Sequence, residues 1–489
     1  MLNATFQTGA YTRKVASVKA QSLVEIKFSG QDIGEVVAVY PQISLNSAEV
    51  ASGRTSYGGR LICTVVYADE SGALCRIQKG AEFSHHHDDE RFAPAQHCDC
   101  QLSAERTQLK REGSSYVVSI VVGAQISVFE SAQRSFISDV EGAVCRREEG
   151  KLFNAVSFSG ESEVDDDFDC VASDILVPSA RALVLDCNVK TGLIEVSGEI
   201  YLTLLAVRDG SPVGLDRVIP FKAEISCEEA VLPRRGVARA EIKDMSVDCR
   251  VNEDSGKCDV DFNATLAIFG RFCEEEQVTF VSDLFSAESQ IVVTRSDERE
   301  NIFTDLKVYS ERVSGLCATK AKVDYTCSFL ATALPEVEFS RTEGGIEGSV
   351  SATLIYSQGG EIHSTQVSLP FAVKLSGLSA GDCAINIAVC GISIRQRAEG
   401  ECEAEAVLKI TAEDGAENCV SYLTEVQEGE AREVNDSAIS VYIPTAGDDL
   451  WETAKKLLSP PESIQATNPE LKFPLTGKER ILIFRPRTQ

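Results

Sequence analysis

The sequence predicts a mainly β protein: three tandem β-sandwich or barrel-like repeats, followed by a small β-α-α-β module. Three observations predict this fold. Most of the chain alternates apolar and polar residues over strand length, as in "IEVSGEIYLTLLAV", which is typical of strands that bury one face. Two short motifs each recur three times at similar spacing. Near the end of the chain, "AGDDLWETAKKLLSPPESIQATNPEL" changes to a helical period.

Composition limits the class of protein. At 489 residues the chain is too long for one core, and 43% hydrophobic with 25% charged residues indicates a globular protein. A formal net charge of −28 argues against a nucleic-acid surface, which needs clustered Lys and Arg. The first residues lack the apolar core of a secretory signal, and no apolar run reaches the ~20 residues of a membrane helix. We therefore expect a cytoplasmic protein without membrane insertion.

The first repeated motif is a glycine, then a threonine five positions later, then an apolar strand. It occurs at Gly59 and Thr64, at Gly198 and Thr203, and at Gly348 and Thr353. The glycine at the strand start predicts a bulge or a close approach of backbone. A phenylalanine follows eighteen or nineteen residues after each threonine, at Phe83, Phe221 and Phe371.

The second repeated motif is "FISDV", "FVSDL" and "YLTEV". Its acidic residues, Asp139, Asp283 and Glu425, are 144 and 142 residues apart. We therefore predict repeats at 1–150, 151–300 and 301–436, with the terminal module at 437–489. The acidic stretches at 160–170 and 294–300 are predicted to link the repeats.

The seventeen cysteines are scattered singly, and many occupy strand-like positions. That pattern favours reduced, half-buried side chains over a disulfide framework. Histidines 85, 86, 87 and 97 lie near Cys98 and Cys100, which would suffice for a tetrahedral zinc site. However, adjacent histidines on a strand point to opposite faces, and Cys-x-Cys is tighter than usual zinc loops. Exposed strand and loop residues are the alternative, and we expect no metal or cofactor.

Motifs for catalysis are missing from the sequence. There is no phosphate-binding G-x-x-x-x-G-K-[ST], no G-x-S-x-G and no H-E-x-x-H. Only one histidine lies outside positions 85–97, so few histidines are available to form a Ser-His-Asp catalytic triad. We predict that the protein is not an enzyme.

The last segment is predicted as strand, helix, helix and strand. "SAISVYIP" alternates, and "DDLWETAKKLL" places Leu450, Ala454 and Leu457 on one helical face, with Asp448 or Asp449 as the N-cap. "SPPESIQATNPEL" contains a second short helix, and "GKERILIF" is the final strand. This strand is basic at Lys478, Arg480, Arg485 and Arg487. Those cations either contact an acidic partner or are solvated.

This order resembles the LysM domain. "AGDDLWETAKKL" is similar to its glycine-aspartate-x-leucine-tryptophan opening, "IQATNPEL" to the end of its second helix, and "LTGKERILI" to its closing strand. The resemblance implies a β-α-α-β fold with a groove between the loops at Gly447–Leu450 and Asn468–Leu471. LysM domains usually hold N-acetylglucosamine chains there through backbone groups. The candidate binding residues are Gly447, Asp448, Asp449, Leu450, Trp451, Lys455, Asn468, Pro469, Glu470 and Leu471.

Trp451 is the only tryptophan in the chain and has two candidate roles. It either wedges the first helix onto the sheet or contacts a partner, since tryptophan is enriched at interface hot spots. Lys455 and Lys456 are interpreted as solvated helix charges, with partner contact as the alternative.

The whole chain resembles SipL-like spore-coat morphogenetic proteins of clostridia, which carry tandem SPOCS repeats followed by a LysM domain. The resemblance rests on the Gly-x4-Thr strand, the "PF" pair after the second and third copies, the "[FY]-x-[ST]-[DE]" segment and the terminal module. It implies a structural, mother-cell protein at the forespore surface, whose LysM domain engages the coat-basement ATPase. The alternative is a cell-wall protein that binds N-acetylglucosamine-containing peptidoglycan.

Overall fold

Strands dominate the architecture, as predicted. A computed structural model describes residues 2–29, 33–252, 257–321, 323, 326–378, 384–398, 401–432 and 439–484. The first set of strands comprises β1 (Asn3–Ser29), β2 (Glu35–Ala51), β3 (Arg54–Ala68), β4 (Leu74–Asp88), β5 (His97–Glu112) and β6 (Ser115–Glu141). The second set comprises β7 (Val144–Cys170), β8 (Asp174–Lys190), β9 (Leu193–Arg208), β10 (Ser211–Ser226), the two-residue β11 (Arg234–Arg235), β12 (Val237–Asn252) and β13 (Lys257–Phe285).

The third set comprises β14 (Ser289–Thr319), β15 (Ser328–Thr342), β16 (Gly345–Gln358), β17 (Glu361–Lys374), β18 (Ile385–Ala398) and β19 (Glu401–Ala431). The terminal module, defined here as residues 439–484, comprises β20 (Ile439–Tyr442), α1 (Leu450–Leu457), α2 (Pro461–Thr467) and β21 (Ile481–Phe484). Strands β20 and β21 pair antiparallel, so the predicted order of strand, helix, helix and strand is present. No helix in the described ranges is long and apolar enough to span a bilayer.

The same order of strands occurs in all three sets. A long strand is followed by a three-stranded antiparallel meander and then by a hairpin whose longer arm pairs with the first strand. The meanders are β2-β3-β4, β8-β9-β10 and β15-β16-β17, and the other sheets are ordered β1-β6-β5, β7-β13-β12 and β14-β19-β18. In the third set, β14 also pairs with β17, which joins its two sheets into one of six strands. Within each set the two groups of strands share an apolar core.

The glycine motif lies in the central strand of each meander. Gly59 of β3 is opposite Phe83, and Gly198 of β9 is opposite Phe221. A Cβ atom at Gly198 would collide with the carbonyl oxygen of Leu183 and with the Phe221 ring. The predicted close approach of backbone is therefore confirmed, and the cross-strand pairing explains why a phenylalanine follows each motif glycine after 23 or 24 residues.

The second motif brings the three sets together. The rings of Phe136, Phe280 and Tyr422 meet edge to face, with centroids 6.4, 6.3 and 6.5 Å apart. All three side chains are buried, and Leu152 and Val278 pack against them. Edge-to-face aromatic pairs add about 1 kcal/mol each beyond the burial of their area. Three segments that are distant in sequence therefore form one central cluster.

The predicted linkers are wrong, because both acidic stretches lie inside long strands. Residues 160–170 belong to β7 and residues 294–300 to β14. In β7, Glu161, Glu163 and Asp165 are exposed, while Val164 and Phe168 face the other side. A strand with one solvated face accommodates carboxylates at alternate positions. The many acidic residues of this stretch therefore hid the alternation of exposed and buried side chains that is typical of a strand. Positions 150 and 300, after which the repeat boundaries were predicted, lie within β7 and β14.

The cysteines follow the prediction with one exception. Fourteen of those in the described ranges are free, and several are core residues, including Cys63 and Cys402. Burial raises the pKa of the Cys63 thiol to about 12, which keeps it protonated and unreactive. A disulfide joins Cys249 and Cys258 across the hairpin of β12 and β13, which the sequence analysis did not predict.

Candidate functional site

The first loop of the predicted groove is built by the start of helix α1. Asp449 is the N-cap: its carboxylate accepts a hydrogen bond of 2.7 Å from the backbone N–H of Glu452. Asp448, the other candidate, instead binds the ammonium of Lys456 at 2.8 Å. The backbone of Gly447 donates to the carbonyl of Leu475 at 2.7 Å. Gly447 has φ +96°, which glycine adopts without strain.

The second loop begins at Asn468, whose side chain has a structural role. Its amide nitrogen donates to the carbonyls of Ile464 at 2.9 Å and Leu482 at 2.8 Å. Its amide oxygen accepts from the backbone N–H of Leu482 at 2.8 Å. Asn468 therefore links the end of α2 to β21, because its side-chain amide exchanges two hydrogen bonds with the backbone of Leu482 as a neighbouring strand would. The sequence motif predicted Asn468 at the groove, but its hydrogen bonds to Ile464 and Leu482 were not predicted.

The ten candidate residues differ in their accessibility. Gly447, Asp449, Pro469 and Glu470 are exposed, Asp448, Leu450, Lys455, Asn468 and Leu471 are half-buried, and Trp451 is buried. Leu450 and Leu471 pack against the core of the terminal module. The two loops thus expose mainly polar side chains and backbone groups. Their apolar residues pack inward and stabilise the module itself.

Trp451 anchors the terminal module to the second set of strands. Its indole N–H donates to a carboxylate oxygen of Asp283 at 2.9 Å, and its ring lies 5.4 Å from that of Phe285. Asp283 and Phe285 are at the end of β13, in and directly after the repeated "FVSDL" segment. Trp451 also belongs to the apolar core of the module together with Ala454 and Ile481, which fits the predicted wedge, while its contact with the second strand set was not predicted.

Lys455 joins the same junction. Its ammonium donates to the Asp283 oxygen that accepts from Trp451, at 2.7 Å, and Arg295 of β14 pairs with the other carboxylate oxygen at 3.0 Å. Burial of the carboxylate opposes its ionisation, but the hydrogen bonds from Lys455 and Trp451 outweigh that effect. The pKa of Asp283 therefore lies below its ordinary value. Asp283 is the key residue of the junction, and sequence reasoning identified it only as a repeat landmark.

Acidification is expected to open this junction. Because the pKa of Asp283 is lower in the folded state, its stabilising contribution is complete above the ordinary aspartate pKa of about 4. The contribution is lost as the pH falls below about 4 and through the depressed pKa. Emission of the single tryptophan, followed from pH 7 to pH 3, should shift to the red in this window. A shift that coincides with loss of the far-UV dichroism of the strands would instead indicate global unfolding.

The histidine and cysteine residues of the rival metal site are spread over two sheets. His85, His86 and His87 lie on β4, while His97 begins β5 and stacks on Phe129 at 5.6 Å. Burial, together with the charge of Arg271, lowers the pKa of His97. Across the described ranges, no group of three or more His, Cys, Asp or Glu side chains is placed to hold a metal ion.

The basic residues of the final strand are only partly described. Lys478 and Arg480 are exposed and precede β21, and Arg485 and Arg487 lie outside the described residues.

Comparisons with protein-family models, with curated proteins and with solved structures gave no match.

Proposed function

We propose that this chain is a non-enzymatic structural protein of spore-coat assembly. In this proposal the three strand sets are tandem SPOCS repeats that form a scaffold, and the terminal module is a LysM domain. The module docks to the coat-basement ATPase in the mother-cell cytoplasm, at the forespore surface. The resemblance of the terminal motifs and of the whole chain supports the family, and the antiparallel pairing of β20 and β21 around two short helices supports the module.

The observation that carries the proposal is the junction at Asp283. A binding module on a free linker orients its partner poorly, whereas Trp451, Lys455 and Phe285 hold this module on the second strand set. A partner bound to the module is therefore held in one orientation relative to the β scaffold. Defined orientation is what an assembly protein requires of its docking domain, and it distinguishes this role from simple tethering.

Removal of the terminal module is expected to abolish binding of the coat-basement ATPase. A chain ending at Arg432, after β19, keeps every described strand of the three sets. We expect its affinity in a pull-down or by interferometry to fall at least ~100-fold, about 2.7 kcal/mol. Far-UV dichroism of the shortened chain serves as the folding control. Undiminished binding would contradict the docking role, and micromolar binding of the full chain to chitin oligomers would favour the glycan alternative.

A further inference from the structure

The outer face of the two-stranded sheet in the terminal module is apolar and exposed. Ile439 is opposite Phe484, and Val441 is opposite Leu482. These four side chains and Ile443 are between 41% and 68% exposed. The inner face carries Ile481 and Ile483, which are buried against the helices. The sheet is therefore apolar on both faces, although only the inner one is covered within the described ranges.

This concentration of apolar surface is unusual for the chain. The described residues include fifteen exposed large hydrophobic side chains, and five of them belong to the outer face. The other ten are spread over the rest of the described chain, where strands such as β7 present mainly polar residues, for example Glu161 and Asp165, to solvent. A solvated strand pair gains nothing from Ile, Val, Leu and Phe on its outer face, whereas contiguous exposed apolar patches mark interaction sites.

Cations border the outer face. Arg480 and Lys478 are exposed immediately before β21. The neighbouring carboxylate of Glu479 accepts hydrogen bonds from the backbone N–H and the hydroxyl of Thr476, which turns it back onto its own loop. In a chain whose formal charge is −28, this border is locally positive.

We propose that the outer face, formed by Ile439, Val441, Ile443, Leu482 and Phe484, is the surface through which the terminal module docks its protein partner. The partner's surface presents apolar side chains bordered by carboxylates, which complement the apolar strip and the cations beside it. This inference rests on the proposed function and places the contact on the sheet instead of the groove between the two loops. A second copy of the chain would bring like charges together at the same border, which disfavours self-association.

Polar substitution of the outer face tests the proposal. In the full-length chain, Val441→Ser combined with Leu482→Ser should weaken binding of the purified coat-basement ATPase by about tenfold or more. The matched control, Val292→Ser combined with Leu316→Ser, makes the same substitutions at exposed positions of β14 and should change affinity by less than about twofold. Arg480→Glu should lower the association rate and flatten its dependence on salt. An unchanged Trp451 emission spectrum verifies that each variant keeps the module docked.

The outcomes separate this inference from the proposed function. If the chain ending at Arg432 loses binding but the outer-face variant binds like the original, the inference is overturned and the docking role stands. If the chain ending at Arg432 still binds fully, both fail. If light scattering shows a dimer that the outer-face variant dissociates, the face is an interface between copies and the inference is likewise overturned.

Discussion

Replacing Asp283 with alanine is expected to release the terminal module while leaving the strand sets folded. The substitution removes the acceptor of the Trp451 indole and the counter-charge of Lys455 and Arg295. The buried indole N–H then loses its acceptor, while Lys455 and Arg295 remain partly solvated, so the total cost is about 2 kcal/mol. The contact between the Trp451 and Phe285 rings alone is worth about 1 kcal/mol beyond area burial. The junction should therefore open for a substantial fraction of molecules.

The measurement is tryptophan fluorescence, since Trp451 is the only tryptophan. In the Asp283→Ala chain the emission of Trp451 should shift to the red, and acrylamide should quench it more strongly. The far-UV dichroism should stay unchanged. The matched control is Asp139→Ala, at the same motif position of the first strand set. Asp139 is half exposed and pairs with Arg147, so its removal should cost at most about 1 kcal/mol and leave the emission unchanged. Equal spectra for both variants would mean that the carboxylate does not hold the junction.

Replacing Phe280 with alanine is expected to destabilise all three strand sets together. Its ring is 4% exposed and contacts both Phe136 and Tyr422, so the change leaves a cavity where the sets meet. Removal of a buried phenylalanine side chain costs about 3–5 kcal/mol. Because the cavity borders every set, we expect the whole urea transition to move to lower concentration.

The matched control for this prediction is Phe6→Ala in β1. Phe6 is 54% exposed, so its removal should change the free energy of unfolding by at most about 0.5 kcal/mol. Urea titration monitored by far-UV dichroism measures both variants. A biphasic transition in the Phe280→Ala chain, with one phase unshifted, would show that the sets unfold independently and that the aromatic cluster does not couple them.

Much of the local structure was predictable because its causes are local in sequence. Alternation of apolar residues predicted strands, and the pair Asp448 and Asp449 predicted the start of α1, since a cap acts on backbone groups three residues away. Residues 160–170 were misinterpreted because their carboxylates obscured the alternation of Val164 and Phe168. Composition is a weaker guide than periodicity when one face of a strand is solvated.

The candidate site was predictable as a segment but not as a set of roles. The motifs located the two loops, yet Asn468 binds the backbone of Leu482, and the outer face of the sheet was not anticipated. The sequence did contain a sign of this apolar face, because "ISVYI" is apolar at every second position and "ILIF" at every position. Strand pairing was needed to show which of those side chains share a face and which are covered.

The sequence by itself determined the mainly β class, the three recurrences of two motifs and the order of the terminal module. It did so because hydrophobic period, helix caps and glycine positions act over a few residues. Only the tertiary structure decided that three distant aromatic residues form one cluster, and that Trp451 meets a carboxylate 168 residues earlier. Such contacts form between surfaces that exist only after the strands have paired. The order and spacing of residues along the chain do not show which of these surfaces will meet.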